Sequence, residues 1–527
     1  MAENVSRRHF LASVAFGGVG ANTALGFGGR HRRCQPVPCS LPPFPIPPEP
    51  CDGLRVRPNI LSLTPVQLAS LKRGIAVMKS LPAADRRSWT FQAAIHGTPD
   101  DAAAAKEPLF RQCVHTKKDQ DAALEFLPWH RAFLHFFERI LRWAANDPGL
   151  MLPFWDWTAH PFVPEPYRFP ADPVLNPLYE PSRQANDGRR LSDKVVRVDA
   201  GNGLDTREFA SPDAPGFSEQ LENSPHGNVH DEVGGENGLM GSVPTAAGDP
   251  IFWVHHANVD RLWDVWLNRG GGRTNPVDSS FLGKTYTFAD ETGGTSAVTV
   301  RDIISSARLG YRYEGVPAPA VQPVAEQPPK PAGPRVVATS GPPDRGEEDL
   351  SKLPAKPLGF KEERVPLSTI KGARPALTQA LPGGTPAGRP PRVVVAVEGL
   401  AADRVSGIIY GVYVNLPPGE RSDDVLERHY VGSINFFGKT RSEARKHGHG
   451  HGAGGDEFSA RFDATKVVAG LSRAGKLDLD QIVVTILPIT ATPPGATQEE
   501  TAAKAAAKAE RNKVSYRRVS VRVVPPR

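Results

Sequence analysis

No stretch of this chain approaches the ~18 consecutive apolar residues that a membrane-spanning helix requires, so the sequence reads as globular with no membrane partner. Cysteine is scarce, with four in 527 residues, which excludes a disulfide scaffold while still suiting an oxidising compartment. Charge of one sign is lacking too. The formal net charge is +6, and no segment interleaves basic with aromatic residues, so nucleic acid is excluded as a partner. What is abundant is proline (53) and glycine (50), a surplus that calls for long irregular connections beside a packed core. Eight tryptophans and 23 phenylalanines are enough to fill at least one such core.

The N-terminus, "SRRHFLASVAFGGVGANTALG", sets Arg7 and Arg8 before a weakly apolar run, and residues 1–30 read as a twin-arginine export signal. The expected location is therefore periplasmic or secreted. Residues 31–53 form a Pro-rich arm in which one pair among Cys34, Cys39 and Cys51 can close a staple; the spacing leaves the pairing open.

Between residues 54 and 314 the sequence predicts helices at ordinary start signals. Thr64 with Pro65 opens one, Asp85 caps "RRSWTFQAAIH", Pro128 starts "PWHRAFLHFFERILRWAAND", and Asp249 with Pro250 starts a fourth. The expected fold class is mainly α, a four-helix bundle crossed by long loops. Residues 315–390 are Pro-rich and read as a linker. In residues 391–527, "RVVVAVEGL", "GIIYGVYVNLP", "QIVVTILP" and "VSYRRVSVRVV" are short β-branched runs, which predict a smaller β-sandwich-like domain.

Histidines supply the chemistry. His226 and His230 stand four apart in "PHGNVH", a spacing that puts two imidazoles on one helix face. By itself that pattern is common on surfaces and in cores. A second histidine-bearing element, "DPIFWVHHANVDRLW", follows on a capped helix, and the N-terminal half repeats the arrangement with His96, His115 and His130. Two sets of three imidazoles on a bundle imply two metal ions. Neither half carries the Glu-x-x-His pairs of a carboxylate-bridged di-iron bundle, and all-imidazole sites suit copper or zinc.

"FLPWHRAFLHFFERIL", "PFWDW", "LENSPHGNVH" and "DPIFWVHHANVDRLW" resemble the tyrosinase and polyphenol oxidase family of binuclear type 3 copper proteins, over about Val56 to Tyr313. The chain is identified as a bacterial member with a C-terminal shielding domain. The resemblance implies two copper ions, one held by His96, His115 and His130 and the other by His226, His230 and His256. His256 rather than His255 matches the family's ligand in the His-His pair, and His255 is then a packed neighbour. His135 is read as core. Cys113, two before His115, matches a position joined to that histidine by a thioether in fungal members. The loop between His115 and His130 is longer than the family's.

The implied activity is oxidation of o-diphenols to o-quinones with reduction of dioxygen to water, and monophenol hydroxylation is compatible with it. Phenols and dioxygen are the expected partners. Phe252 corresponds to an aromatic over the second copper, and Glu222 to a carboxylate positioned for general-base work on the phenol proton. Gly227, with Asn228 next to it, stands where strong monophenolases often carry an asparagine. Carboxylates are expected to orient the histidines, with Asp260 either one of these or an ion-pair partner of Arg131. The rival readings are an oxygen carrier of the hemocyanin kind and a zinc or structural bundle. An aromatic from "INFFG", Ile434 to Gly438, is expected to close the site, so that proteolysis in the linker, detergent or acid raises turnover. His447, His449 and His451 lie in a glycine-rich tract, read either as a solvated loop or as a metal-capturing arm.

Overall fold

Thr64 and Gln67 cap one another reciprocally and open helix α1 (Pro65–Ser80) with proline at its first position, as the sequence predicts. Helix α2 (Trp89–His96) starts later than expected. Its cap is Ser88, which accepts from the Phe91 amide, while the Asp85 carboxylate is spent on Arg87. Helix α3 (Asp121–Ala145) also departs from the sequence reading, because Pro128 lies inside it and not at its start. The helix formers Ala122 to Glu125 carry the helix back past the proline, and buried Phe126, Leu127 and Trp129 offset the hydrogen bond that proline cannot donate. Helices α4 (Gly227–Gly234) and α5 (Pro250–Asn268) complete the bundle. Asp249 caps α5 by accepting from the Ile251 amide, and its carboxylate is also held by Arg183 at 2.6–2.9 Å.

The computed structural model describes residues 53–97, 107–111, 121–211, 214–319, 350–359, 362–368, 391–404, 407–440, 457–477, 481–489 and 494–524, all within one unit spanning Leu41–Arg527. The export signal, Cys34, Cys39, Cys51, Cys113, His115 and the tract of His447, His449 and His451 lie outside the described residues.

Aromatic packing fixes the helices against one another. Phe137 of α3 lies flat on Trp253 of α5, with ring centroids 3.4 Å apart and planes within 9°. Trp129, Trp253 and Trp263 are all fully buried. After a hairpin of β2 (Thr285–Ala289) and β3 (Thr295–Thr299), the ends of the helical region meet where strand β1 (Arg55–Arg57) pairs in parallel with β4 (Tyr311–Tyr313). Beneath that pair runs a buried ionic network. Arg131 Nε bonds Asp260 at 2.5 Å and Arg131 Nη2 bonds Asp264 at 2.8 Å, while the hydroxyls of Tyr311 and Tyr313 donate to Asp260 at 2.5 and 2.6 Å. Arg57 adds a second cation through Glu138 at 2.9 Å. Asp260 is therefore the arginine partner and not a histidine orienter, because Arg131, Tyr311 and Tyr313 already occupy its oxygens at 2.5–2.6 Å, with Arg57 Nη1 further off at 3.4 Å.

The C-terminal domain is a β-sandwich. Strand order in one sheet is β6 (Glu363–Ser368), β11 (Gln481–Ile489), β8 (Ile409–Val414), β9 (Tyr430–Ile434); in the other it is β10 (Phe458–Asp463), β7 (Arg392–Leu400), β13 (Arg518–Val524). Val395, Val397, Tyr410, Val412, Val484 and Ile486 meet between the sheets. β6 and the short strand β5 (Lys356–Pro357), which pairs with β12 (Ser515–Tyr516), fall in the stretch that the sequence assigns to the linker. A proline inside each of these short strands, Pro357 and Pro366, masks their alternation, and only pairing with residues more than 100 positions away makes them strands.

Removing one partner from a buried ion network leaves charge without compensation. Arg131→Met is expected to lower the unfolding free energy by about 3–5 kcal/mol, read from denaturant midpoints; a loss below about 1 kcal/mol would show the network to be dispensable.

Candidate metal centre

Four histidines are aimed by main-chain carbonyls. His96, the last residue of α2, donates Nδ1–H to the Val243 carbonyl at 3.0 Å. The close approach depends on Gly97, where an added Cβ would lie 2.2 Å from Pro244 Cα. His130, on α3, donates to the Phe126 carbonyl at 2.8 Å. His226 donates to the Glu222 carbonyl at 2.9 Å, across the irregular turn that precedes α4, and His230 to the Met240 carbonyl at 2.8 Å. A carbonyl only accepts, so each ring carries its proton on Nδ1 and its lone pair on Nε2. The orienting groups were sought among carboxylates. They are backbone atoms, which leave no trace in side-chain identity.

These lone pairs converge. Nitrogens of His96, His130 and His256 lie within 4.8 Å of one another, as do those of His226, His230, His255 and His256. His230 Nε2 and His256 Nε2 are 3.4 Å apart, close to the spacing of about 3.3 Å between two nitrogens bonded at about 2.0 Å to one tetrahedral ion. His256 belongs to both sets, and its ring stacks on that of His130 with centroids 4.3 Å apart and planes within 8°. Burial and the surrounding imidazoles hold His256 well below its ordinary pKa, and burial pushes His255 down to about 3, so both are neutral. Neutral imidazole is the form a soft or borderline metal binds, and the donor set fits copper.

Of the other residues singled out from sequence, Phe252 is fully buried between the two sets, 4.2 Å from the His256 ring and 4.7 Å from that of His96. Glu222 is partly buried, with its carbonyl engaged by His226. Asn228 is turned away from the histidines. Its amide donates to Ser224 Oγ at 2.6 Å and Ser433 Oγ at 2.5 Å, because a residue two along from His226 faces another side of α4. His135 is outside both histidine groups and packs edge-on to Phe136.

The C-terminal domain enters the site. Phe437 lies flat on His230, centroids 3.9 Å apart and planes within 13°, and is buried. Around it, the Phe436 amide donates to Asp231 at 3.4 Å, Asn435 donates to the Asn223 carbonyl, and Lys439 donates to Asn223 Oδ1 at 2.7 Å. Burial draws the Lys439 ammonium below its ordinary range against the opposing pull of Glu222 and Asp231. Asp199 accepts from Ser433 at 2.6 Å and Tyr430 at 3.0 Å of the C-terminal domain, and from Ser224. All but the Asp199–Ser224 pairing join residues more than 200 positions apart; of them, only an aromatic in "INFFG" is legible in the sequence.

Fold and site together define a helical metalloprotein whose buried imidazoles are spaced for two neighbouring ions. Comparison with known proteins narrows that class. The common central domain of tyrosinase matches residues 86–212 and 181–269, the polyphenol oxidase middle domain residues 275–325, and a domain of unknown function residues 357–499, a start that agrees with the pairing of β5 and β6. A chloroplastic polyphenol oxidase of Malus domestica is 30% identical over 509 residues, 86% of this chain and 78% of its own. A tyrosinase of Hahella sp. is 32% identical over 304 residues, 49% of this chain and 63% of its own. The structure of latent apple tyrosinase shares the fold, with a TM-score of 0.58 and 23% identity over 92% of this chain and 99% of that one. The chain belongs to the tyrosinase and polyphenol oxidase family, whose members use a binuclear copper centre.

At Gly227 an added Cβ would lie 2.6–2.9 Å from the Asn435 side-chain amide, which is buried and also accepts from the Phe437 amide. Gly227→Ala is expected to speed amide hydrogen exchange at Phe436 and Phe437 at least about ten-fold, a loosening of over 1 kcal/mol in keeping with overpacking. Unchanged exchange would show that Asn435 yields without cost.

Proposed function

We propose that His96, His115 and His130 hold one copper ion, that His226, His230 and His256 hold the other, and that the centre oxidises o-diphenols. The observation that carries this reading is the convergence of carbonyl-oriented imidazoles, with His230 Nε2 and His256 Nε2 at the separation of two ligands on one ion. When bound, the copper pair would supply the electron exchange by which two catechols, giving two electrons each, become two o-quinones while one dioxygen is reduced to two waters. The chain supplies the rest. Carbonyls fix the tautomers, Phe252 packs against the His256 ring, and the role of taking a phenol proton is assigned to the carboxylate of Glu222, four residues before His226. Gly227 offers no side-chain amide there and that of Asn228 is spent on serines, which supports catechols over monophenols as substrates. Cys113 is proposed to form the thioether with His115.

The chain is also proposed to be a bacterial enzyme that leaves the cytoplasm by the twin-arginine route, on the strength of Arg7, Arg8 and the apolar run after them. Among the described residues no helix is long and apolar enough to cross a membrane.

The C-terminal domain is proposed to hold the enzyme latent, with Phe437 occupying the ground a phenol ring would take against His230. Asp199 gives this contact a pH dependence. Docked, burial pushes it up to about 6 despite its hydroxyl donors; released to water, it returns to about 3.9. A group that holds its proton more tightly when docked favours docking below about pH 4, and that contribution is lost as pH rises through 6. Between pH 6 and 4 the effect runs against the expectation that acid opens the site.

His256→Ala is expected to release one of two coppers per chain, measured by metal analysis, and to abolish catechol-dependent oxygen uptake; two retained coppers with full turnover would overturn the ligand assignment. In the uncut chain, Phe437→Ala is expected to raise catechol turnover at least about ten-fold, the effect of opening an occupied site. Expressed relative to that variant at each pH, turnover of the parent chain should fall from pH 6 to pH 4, and Asp199→Asn should flatten the fall. A rise over that window would contradict the assigned sign.

A further inference from the structure

By distance alone His255 is as well placed to bind a metal as its neighbour, since one of its ring nitrogens lies within 4.8 Å of those of His226, His230 and His256. It packs parallel to His226 at 5.4 Å and perpendicular to His230 at 4.9 Å, and it is fully buried. Proximity does not choose between the two members of the pair. A hydrogen bond does. The indole N–H of Trp157 donates to His255 Nδ1 at 3.1 Å. Indole nitrogen is a donor only, so Nδ1 of His255 must present its lone pair to Trp157, and the neutral ring must carry its proton on Nε2. Both nitrogens are then barred from a metal, one by the indole and the other by its own hydrogen. Nε2 of His255 has no hydrogen-bond partner among the described residues. The four carbonyl-bound histidines have the opposite tautomer, with the proton on Nδ1.

We propose that Trp157 is a positioning residue that decides which histidine of the His255–His256 pair meets the second copper, by locking His255 in the tautomer that cannot coordinate. This rests on the ligand reading above and adds to it the reason that three imidazoles, and not four, serve that ion. It also gives a task to the second tryptophan of "PFWDW", 98 residues from the histidine it governs; the first, Trp155, donates to the His160 carbonyl at 3.0 Å. A three-imidazole ion keeps a position for oxygen or substrate, whereas a fourth imidazole would close it.

The test uses the full-length chain loaded with copper and titrated with a competing chelator. Trp157→Phe keeps the ring and removes the donor. It should free a lone pair of His255 and tighten the hold on the second ion about ten-fold, in the range that altering a partner behind a metal ligand produces. His255→Leu in the same chain should return the affinity to that of the parent, because the competing ring is gone. His255→Leu alone should keep both ions at the parent affinity. Parent-like binding by Trp157→Phe would overturn the proposal, and so would a double variant no closer to the parent than Trp157→Phe, which would reduce Trp157 to packing. Loss of an ion from His255→Leu would make His255 a ligand and overturn it too, and this arm stands even if Trp157→Phe does not fold. Retention of both ions by His256→Ala would instead bring down the ligand reading on which the proposal rests.

Discussion

Main-chain carbonyls that fix the protons of buried imidazoles are the constraint on which the rest of this structure depends. A carbonyl cannot change its role as an acceptor, so once Val243, Phe126, Glu222 and Met240 are in place the lone pairs of four histidines are directed without further adjustment. The carbonyls must then be held to within a few tenths of an ångström. That requirement accounts for the glycine after His96, for the rigid aromatic seam of Phe137 on Trp253, and for the irregular turn that brings the Glu222 carbonyl beneath His226. Trp157 applies the same logic with the sign reversed, a donor where the others are acceptors.

Around the metal centre the fold separates its charges from its chemistry. The cations Arg57 and Arg131 are bound by Glu138, Asp260 and Asp264 in a network that ties β1, α3, α5 and Tyr311–Tyr313, and none of those carboxylates belongs to either histidine group. The histidines are left among aromatic rings, where burial keeps His255 and His256 neutral. For His256 that neutrality favours a metal over a proton. Against this arrangement the C-terminal domain sets Phe437 on His230, and its grip includes contacts to groups beside the histidines, namely Asp199, Asn223, Ser224, Asn228 and Asp231, together with ion pairs further out such as Arg461 with Glu219 and Arg511 with Glu236.

The histidines were legible in the sequence because a spacing of four on one helix and an adjacent pair on another capped helix are periodic signals. The bundle was legible for the same reason, and the β-sandwich from its alternating β-branched runs. The start of α3 was misplaced because proline is ambiguous, permitted at a first turn and tolerated further in when the flanking residues are buried. β5 and β6 escaped notice because partners far along the chain make them strands. The orienting groups had no signal to give, since a carbonyl is present at every residue. Asp260 was legible as a carboxylate that either orients a histidine or pairs with Arg131, but the choice lies with four donors from three separate segments.

The central claim is that two coppers are held by imidazoles chosen by tautomer and not by proximity. Anomalous scattering at the copper edge from crystals of the loaded full-length chain tests it most directly. The account predicts two peaks per chain, one within about 2.0–2.2 Å of Nε2 of His226, His230 and His256 and clear of His255, the other bonded to His96 and His130. A single peak, or one bonded to His255, would contradict it.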